Sequence, residues 1–358
     1  MKAYGESSVK TLNLDDAFRV ATEHMPNLKG VDIYINQQYF LNDSMYCGED
    51  GKREIILSAP VMKNFFERKK HELVGISLCL DQCIEEKFKE RTDRAKALVA
   101  IGSMPNLKKL VLSYVGFDDV DTLTRCIGPD LESLRLANVK IGSGAYGYEW
   151  QSSDVDELIR KLSQIRNLRT LCLDDIALSP RNLQTLAPRL SQVRDLSLEG
   201  AFGGQGGSIT DASLALIADS CPNLLSLDVS YQRGITFAGL KHILQRISLV
   251  DLEASDIRLS THQVANLVGN SSLKFVRYSN AGNRWDNPGE QEQRIVREAV
   301  IRRNGEVVLC TDMGGLVKFT LPSALRANQE AAKNFVNEAC EAGRDVLVTC
   351  KWDTVSAS

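Results

Sequence analysis

Four histidines, nine cysteines and 46 aspartates and glutamates are the side chains here from which acid–base, nucleophilic or metal chemistry could be built. His24, His71, His242 and His262 are scattered. Three of them follow or sit within apolar helical patterns, so no Ser/His/Asp or Cys/His set assembles from them. Cys79 and Cys83, with His71 nearby, begin a zinc pattern, but no second Cys or His pair follows at finger spacing. "GGQGGS" (203–208) precedes a helical run as a phosphate cradle would, yet it lacks the G-K-[ST] ending and no lysine follows in that helix. It reads as a flexible loop. "SGAYG" (143–147) lacks G-x-S-x-G, and neither HExxH nor an EF-hand loop occurs. No enzyme, metal or cofactor is expected. The carboxylates remain, and their meaning depends on the elements that carry them.

The chain has 358 residues, 43% hydrophobic and 25% charged, which is ordinary globular composition. A net charge of −3 gives no general signal for nucleic acid or membrane. The cysteines are odd in number and sit in apolar strings such as "LCL" (171–173) and "VLC" (308–310). That usage fits buried free thiols in a reducing compartment, not a disulfide framework. The first 25 residues lack a long apolar core and a small-residue cleavage site. No stretch approaches the ~18 to 20 apolar residues that span a bilayer. A cytoplasmic or nuclear location is expected.

Self-similarity organises the rest. "MPNLKGVDI" (25–33), "MPNLKKLVLSYVGF" (104–117), "GPDLESLRLANVKI" (128–141), "IRNLRTLCLDDIAL" (165–178), "LSQVRDLSLEG" (190–200), "CPNLLSLDVSY" (221–231) and "RISLVDLEASDIRL" (246–259) share the template L-x-x-L-x-L. "HELVGISLCL" (71–80) and "SSLKFVRYS" (271–279) are weaker copies. First anchors fall at Leu28, Leu73, Leu107, Leu131, Leu168, Val193, Leu224, Leu249 and Leu273, several of them 24 or 25 residues apart. A short strand alternates its side chains, so positions 4 and 6 point inward and position 1 closes the preceding turn. Between anchors, apolar residues recur at three and four in 155–165, 182–193, 211–221 and 261–269, which predicts helices with Asp154, Asp211 and Ser260 at their starts.

On these residues the chain resembles leucine-rich-repeat proteins over roughly residues 12 to 280. The resemblance implies an α/β solenoid, a horseshoe with parallel strands on the concave face and helices on the convex face. "CPNLLSLDVSYQRGITFAGL" (221–240) is similar to the cysteine-containing repeats of F-box proteins, although no F-box precedes the repeats. The standard repeat has Asn or Cys at position 9, satisfying loop backbone. Here that slot holds Val115, Val139, Ile176, Ile257 and, in the quoted coil, Gln232. The solenoid is placed at 1–280, with 281–358 as an αβ cap continuing it. Within the cap a helix is expected at 288–305, a strand pair around Met313-Gly314-Gly315, a helix at 322–343 and a strand at 345–352.

Four insertions, 36–55, 139–154, 200–211 and 280–291, fall after a strand and before a helix, so they are expected on one rim. Their Tyr146, Tyr148, Trp150 and Trp285 are candidate anchors for a partner. Template positions 3, 5 and 7 point into the hollow. There the sequence writes Asp174 with Asp175 beside it, then Asp195, Glu199, Asp228 with Tyr231 nearby, Asp251 and Glu253, with no basic residue at those positions of the four coils. Like charges on strands about 4.8 Å apart raise one another's potential and call for a cationic partner. The function expected is therefore a non-catalytic scaffold that binds a protein, through a basic segment, on this acidic face and the loop rim. The resemblance adds two alternatives. One is the substrate-recognition subunit of a ubiquitin ligase, without its F-box and so with a ligase adaptor as a further partner. The other is a GTPase-activating or other enzyme-regulating solenoid. Neither nucleic acid nor membrane is expected as a partner.

Overall fold

The computed structural model describes residues 2–4, 11–35, 54–80, 88–142, 150–200, 209–269, 272–280, 307–311 and 316–319. Its contacts divide into two compact units, Met1–Val193 and Arg194–Ser358.

In the first unit six strands pair side by side, all parallel: β1 (Lys2–Tyr4), β3 (Gly30–Ile35), β5 (Gly75–Leu80), β6 (Lys109–Ser113), β8 (Ser133–Ala137) and β10 (Thr170–Asp174). Two small parallel pairs accompany them, β2 (Thr11–Asn13) with β4 (Glu54–Ile56) and β7 (Gly116–Phe117) with β9 (Lys140–Ile141). The helices Leu14–His24, Ala59–Arg68, Phe88–Leu98, Val120–Cys126, Ser152–Leu162 and Pro180–Leu186 alternate with the strands. In the second unit β11 (Asp195–Ser197), β12 (Ser226–Asp228), β13 (Asp251–Leu259), β14 (Phe275–Asn280) and β15 (Val307–Thr311) pair in parallel. β16 (Leu316–Phe319) turns back antiparallel to β15, on either side of the expected Met313-Gly314-Gly315 turn. The helices Asp211–Ser220, Phe237–Arg246 and Thr261–Gly269 connect them. The remainder of the expected cap lies outside the described residues.

Each unit is thus a run of α/β leucine-rich-repeat coils, and burial shows why. In the coil begun by Leu131, positions 1, 4 and 6 are Leu131, Leu134 and Leu136, all fully buried. The same holds for Leu168, Leu171 and Leu173, and for Leu224, Leu227 and Val229. Register stacks like on like, with Leu171 opposite Leu134 and Leu227 opposite Leu252. One coil cannot cover its own leucines; its neighbour does, and each buried leucine contributes roughly 2 kcal/mol.

One regularity was not foreseen. The residue at position 8 is left-handed in five coils: Tyr114, Asn138, Asp175, Tyr231 and, within β13, Asp256 have φ between 53° and 61°. This bend redirects the chain so that position 9 turns inward. Val115, Val139, Ile176 and Ile257 are buried there, and Gln232 is buried with them. Gln232 Nε2 donates to the Leu198 carbonyl at 2.6 Å, so an amide does serve loop backbone in this slot.

Helix starts link successive coils. Asp211 accepts from the backbone N–H of Thr236 at 2.8 Å and from its hydroxyl at 2.6 Å. Asp15 does the same for Ser58, at 2.7 and 2.6 Å. Thr236 and Ser58 are the N-caps of the following helices. Asp154 and Asp211 are therefore not themselves caps as expected. The caps are Gln151 and Thr210, which puts each aspartate inside the first turn, where its charge also meets the helix dipole. Ser260 does precede its helix, its N–H bonded to Gln263 Oε1 at 2.9 Å. Replacing Asp15, which is buried, with Ala should destabilise by about 2–3 kcal/mol, and Asp211→Ala by about 1 kcal/mol. Urea unfolding midpoints of the two variants check the order.

Candidate functional site

On the second unit, odd template positions form rows across β11 to β14. One row runs Asp195, Ser226, Asp251, Phe275; the next runs Ser197, Asp228, Glu253, Arg277. Behind them Leu196, Leu227, Leu252 and Val276 fill the interior, each at most 2% exposed. The alternation of the strand leaves the polar residues no choice of face. Asp195 is exposed, and Glu199, Asp228, Asp251 and Glu253 are half-buried. The register thus sets Asp195, Asp228, Asp251 and Glu253 on neighbouring strands, with Glu199 just past the end of β11.

Their surroundings are more structured than an array of bare charges. Asp228 Oδ1 accepts from the Ser230 N–H at 2.9 Å, a turn that fixes the carboxylate. Ser230 is buried and its hydroxyl accepts from the Ser255 N–H at 3.1 Å. Arg277, in the next coil of the same row, reaches Glu253 with Nη1–Oε2 at 2.7 Å. The carboxylate row thus ends at a cation, and Glu253 is already engaged. Asp251 has its carboxyl pushed above the usual range, first by partial burial and second by the charge of Asp195; Lys274 opposes the shift. The carboxylates feel one another's field.

Asp174 and Asp175 belong to the first unit, and there the expectation of an open acidic pair needs correcting. Cys172 is 1% and Asp174 7% exposed. The Cys172 thiol donates to Asp174 Oδ2 at 2.7 Å, so this carboxylate is held inward at the strand end. Burial, and next the charge of Asp174, push the thiol's pKa far upward, so Cys172 is no nucleophile. Asp175, left-handed and half-buried, is raised to about 6 by burial first and by Asp174 second. Because its folded pKa lies above the unfolded one, the native state binds the extra proton between about pH 4 and 6. Stability contributed by the protonated form is lost as pH rises through that window. Asp175→Asn keeps a residue suited to positive φ and removes the charge. It should raise stability at pH 7 by about 1 kcal/mol, a value discounted for solvent screening, and the gain should vanish towards pH 4. Melting temperature against pH measures this.

The rim is only partly within view. Tyr146, Tyr148 and Trp285 lie outside the described residues. Trp150 is half-buried, and its indole N–H donates to the Val139 carbonyl at 3.1 Å, so its polar end is used internally. Tyr231 is half-buried at the left-handed corner, its backbone N–H bonded to the Ser255 carbonyl at 2.7 Å. A pair that sequence reasoning missed is Arg233 Nε with Asp256 Oδ2, 3.3 Å apart. The residues are at positions 10 and 8 of adjacent coils, so only aligning the coils beyond position 7 would have brought them together.

The four histidines are all exposed. Cys126 and Cys221 are buried with thiol pKa values pushed up to about 12, by desolvation first in each case. Among the described residues no group of three His, Cys, Asp or Glu could hold a metal ion. No helix among them is long and apolar enough to cross a membrane.

No family model matches the chain, and no curated protein matches it. Among solved structures it is similar to a chain of the Rad7 and Elc1 complex of yeast, with 15% identity and a TM-score of 0.50 over 75% of this chain and 67% of that one. It is also similar to the leucine-rich repeat-containing protein LegL7 of Legionella pneumophila, with 16% identity and a TM-score of 0.36 over 80% and 95%. A third is the mouse RP105/MD-1 complex, with 16% identity and a TM-score of 0.40 over 79% of this chain and 43% of that one. At such identities likeness concerns the fold.

Proposed function

We propose that the protein is a non-catalytic scaffold, cytoplasmic or nuclear, that holds a basic protein segment on the open strand face of its second unit. The observation that carries this is the register of Asp228 beside Glu253, with Asp195 and Asp251 flanking and the Asp251 carboxyl raised first by burial and second by Asp195. A cation laid across those rows relieves repulsion that the fold maintains. Arg277 on Glu253 is an internal example of the contact that a partner's arginine or lysine would make. A chain of similar fold occurs in a complex, that of Rad7 and Elc1, which supports a protein partner in general terms.

Octalysine titrated into the protein by calorimetry tests the face directly. Binding should weaken as salt rises and fall about a hundredfold in Asp228→Lys/Glu253→Lys. Unchanged affinity in that folded variant removes the proposal. Copurification with a ubiquitin-ligase adaptor would place the scaffold in a ligase, as the F-box-like repeats suggest.

A further inference from the structure

Between the coils begun by Leu224 and Leu249, where strand leads into helix, the second unit contains a groove of about 670 Å³. Ile235 and Ile257 form its apolar base, Phe237 and Ala238 line it at the start of a helix, and Arg233 and Asp256 contribute its charges. The volume lies in the range of sites that take a small ligand or a few residues of peptide, roughly 300–1,000 Å³.

Its charge is asymmetric. In the Arg233–Asp256 pair the arginine side chain is 57% exposed and the aspartate side chain 27%. Arg233 meets Asp256 through Nε, and a guanidinium carries four more N–H donors on its two terminal nitrogens. Asp256, fixed by a left-handed backbone, orients the arginine and leaves the cation nearer solvent. Of the other polar lining residues, Thr236 is committed within the fold and Gln263 is engaged through its side-chain oxygen. Thr236 donates its N–H and hydroxyl to Asp211 and accepts from the Ala238 N–H at 3.2 Å, while Gln263 Oε1 accepts from the Ser260 N–H. The groove therefore combines a mixed polar and apolar lining with an oriented cation beside it. Arg233 is the more exposed of the two charges, so a ligand carboxylate meets the cation before Asp256; a bare anion would leave the apolar residues unused. An aliphatic group carrying a carboxylate satisfies both.

We propose that this groove binds an aliphatic carboxylate, and specifically the C-terminal residue of a peptide chain. The choice of a peptide rests on the function proposed above. Asp256 is three residues along β13 from Glu253, at most about 10 Å by chain length, so one segment can lie on the acidic rows and end in the groove. Carboxylate capture by a guanidinium favours two-point geometry, which a lysine does not reproduce.

The probes are the peptide acetyl-Ala-Ala-Leu with a free carboxylate, the same peptide as its amide, hexanoate, and inorganic phosphate. They are followed by calorimetry and by the methyl resonances of Ile235 and Ile257. The free acid should shift both isoleucines saturably and bind at least about tenfold more tightly than the amide, since the charge-assisted bonds to Arg233 are lost with the carboxylate. Arg233→Gln should bring the acid to the level of the amide, and Arg233→Lys should fall between, with melting temperatures close to that of the parent. Equal binding of acid and amide overturns the proposal, as do isoleucine shifts from phosphate that match the acid's. Hexanoate binding as tightly as the peptide overturns the peptide source. Octalysine affinity measured on Arg233→Gln keeps the two sites separable: loss of the acid with octalysine retained concerns the groove alone.

Discussion

Gly102→Ala should unfold the first unit far more readily than its size suggests, at a cost of about 3 kcal/mol. Gly102 lies in the short 3₁₀ turn Val99–Ser103, and a Cβ there would sit 1.8 Å from the carbonyl oxygen of Arg125 and 2.9 Å from its carbon. Both are backbone atoms near the end of the helix Val120–Cys126 in the next coil, so no rotamer change relieves the clash. Ile101, Met104, Cys126 and Ile127 are buried around this contact, and parting the coils would expose them. Gly142 is the control. It has φ of +99°, yet an added Cβ meets nothing within 4 Å, so Gly142→Ala should cost only about 1 kcal/mol of backbone strain. Urea midpoints of the two variants give the comparison, and a Gly102→Ala protein within about 0.5 kcal/mol of its parent would show that adjacent coils separate freely.

What could be seen in advance follows from what a repeat encodes. Anchors such as Leu131, Leu134 and Leu136 were legible because each coil is under the same demand to bury three side chains against the next. The left-handed corner was not. Its residues, Tyr114, Asn138, Asp175, Tyr231 and Asp256, share a backbone angle and not a residue type. Asn and Asp favour that angle and a bare tyrosine gives no hint of it. A second miss is independent of the corner. The strict alternation that places positions 3, 5 and 7 together also placed Cys172 and Asp174 in the open, whereas the folded chain buries both and joins them. The acidic rows of the second unit were legible because β11 to β14 keep the alternation, with Leu196, Leu227, Leu252 and Val276 buried between them. The Arg277–Glu253 and Arg233–Asp256 pairs lie 24 and 23 residues apart, and side-chain reach, not periodicity, decides whether such residues meet. Helix starts were misplaced by one to three residues for a related reason: an aspartate suits the cap and the first turn about equally, and Thr210 and Gln151 took the cap.

Reversing Asp228 and Glu253 to lysine should lower octalysine affinity about a hundredfold. Each exposed lysine–carboxylate contact is worth roughly 0.5–1 kcal/mol, and reversal both removes that attraction and substitutes a repulsion of similar size. Two positions changed in this way give about 3 kcal/mol, which is close to two decades in affinity. The variant also disturbs the fold at identifiable points. Asp228→Lys leaves the Ser230 N–H without its acceptor, and Glu253→Lys sets a second cation against Arg277 across adjacent strands. A loss of about 1–2 kcal/mol in stability is expected from those two changes, so a second pair, Asp228→Asn with Glu253→Gln, separates binding from folding. Each of these substitutions keeps an amide oxygen, the first to accept from the Ser230 N–H and the second to accept from Arg277. This neutral pair should melt close to the parent protein and bind octalysine about tenfold more weakly, halfway to the reversed pair on a free-energy scale. Affinity that follows charge in these two steps, −2, 0 and +2 at the two positions, identifies the strand face as an electrostatic surface. Affinity that tracks melting temperature instead would mean that octalysine senses the integrity of the fold and that the carboxylate rows bind nothing.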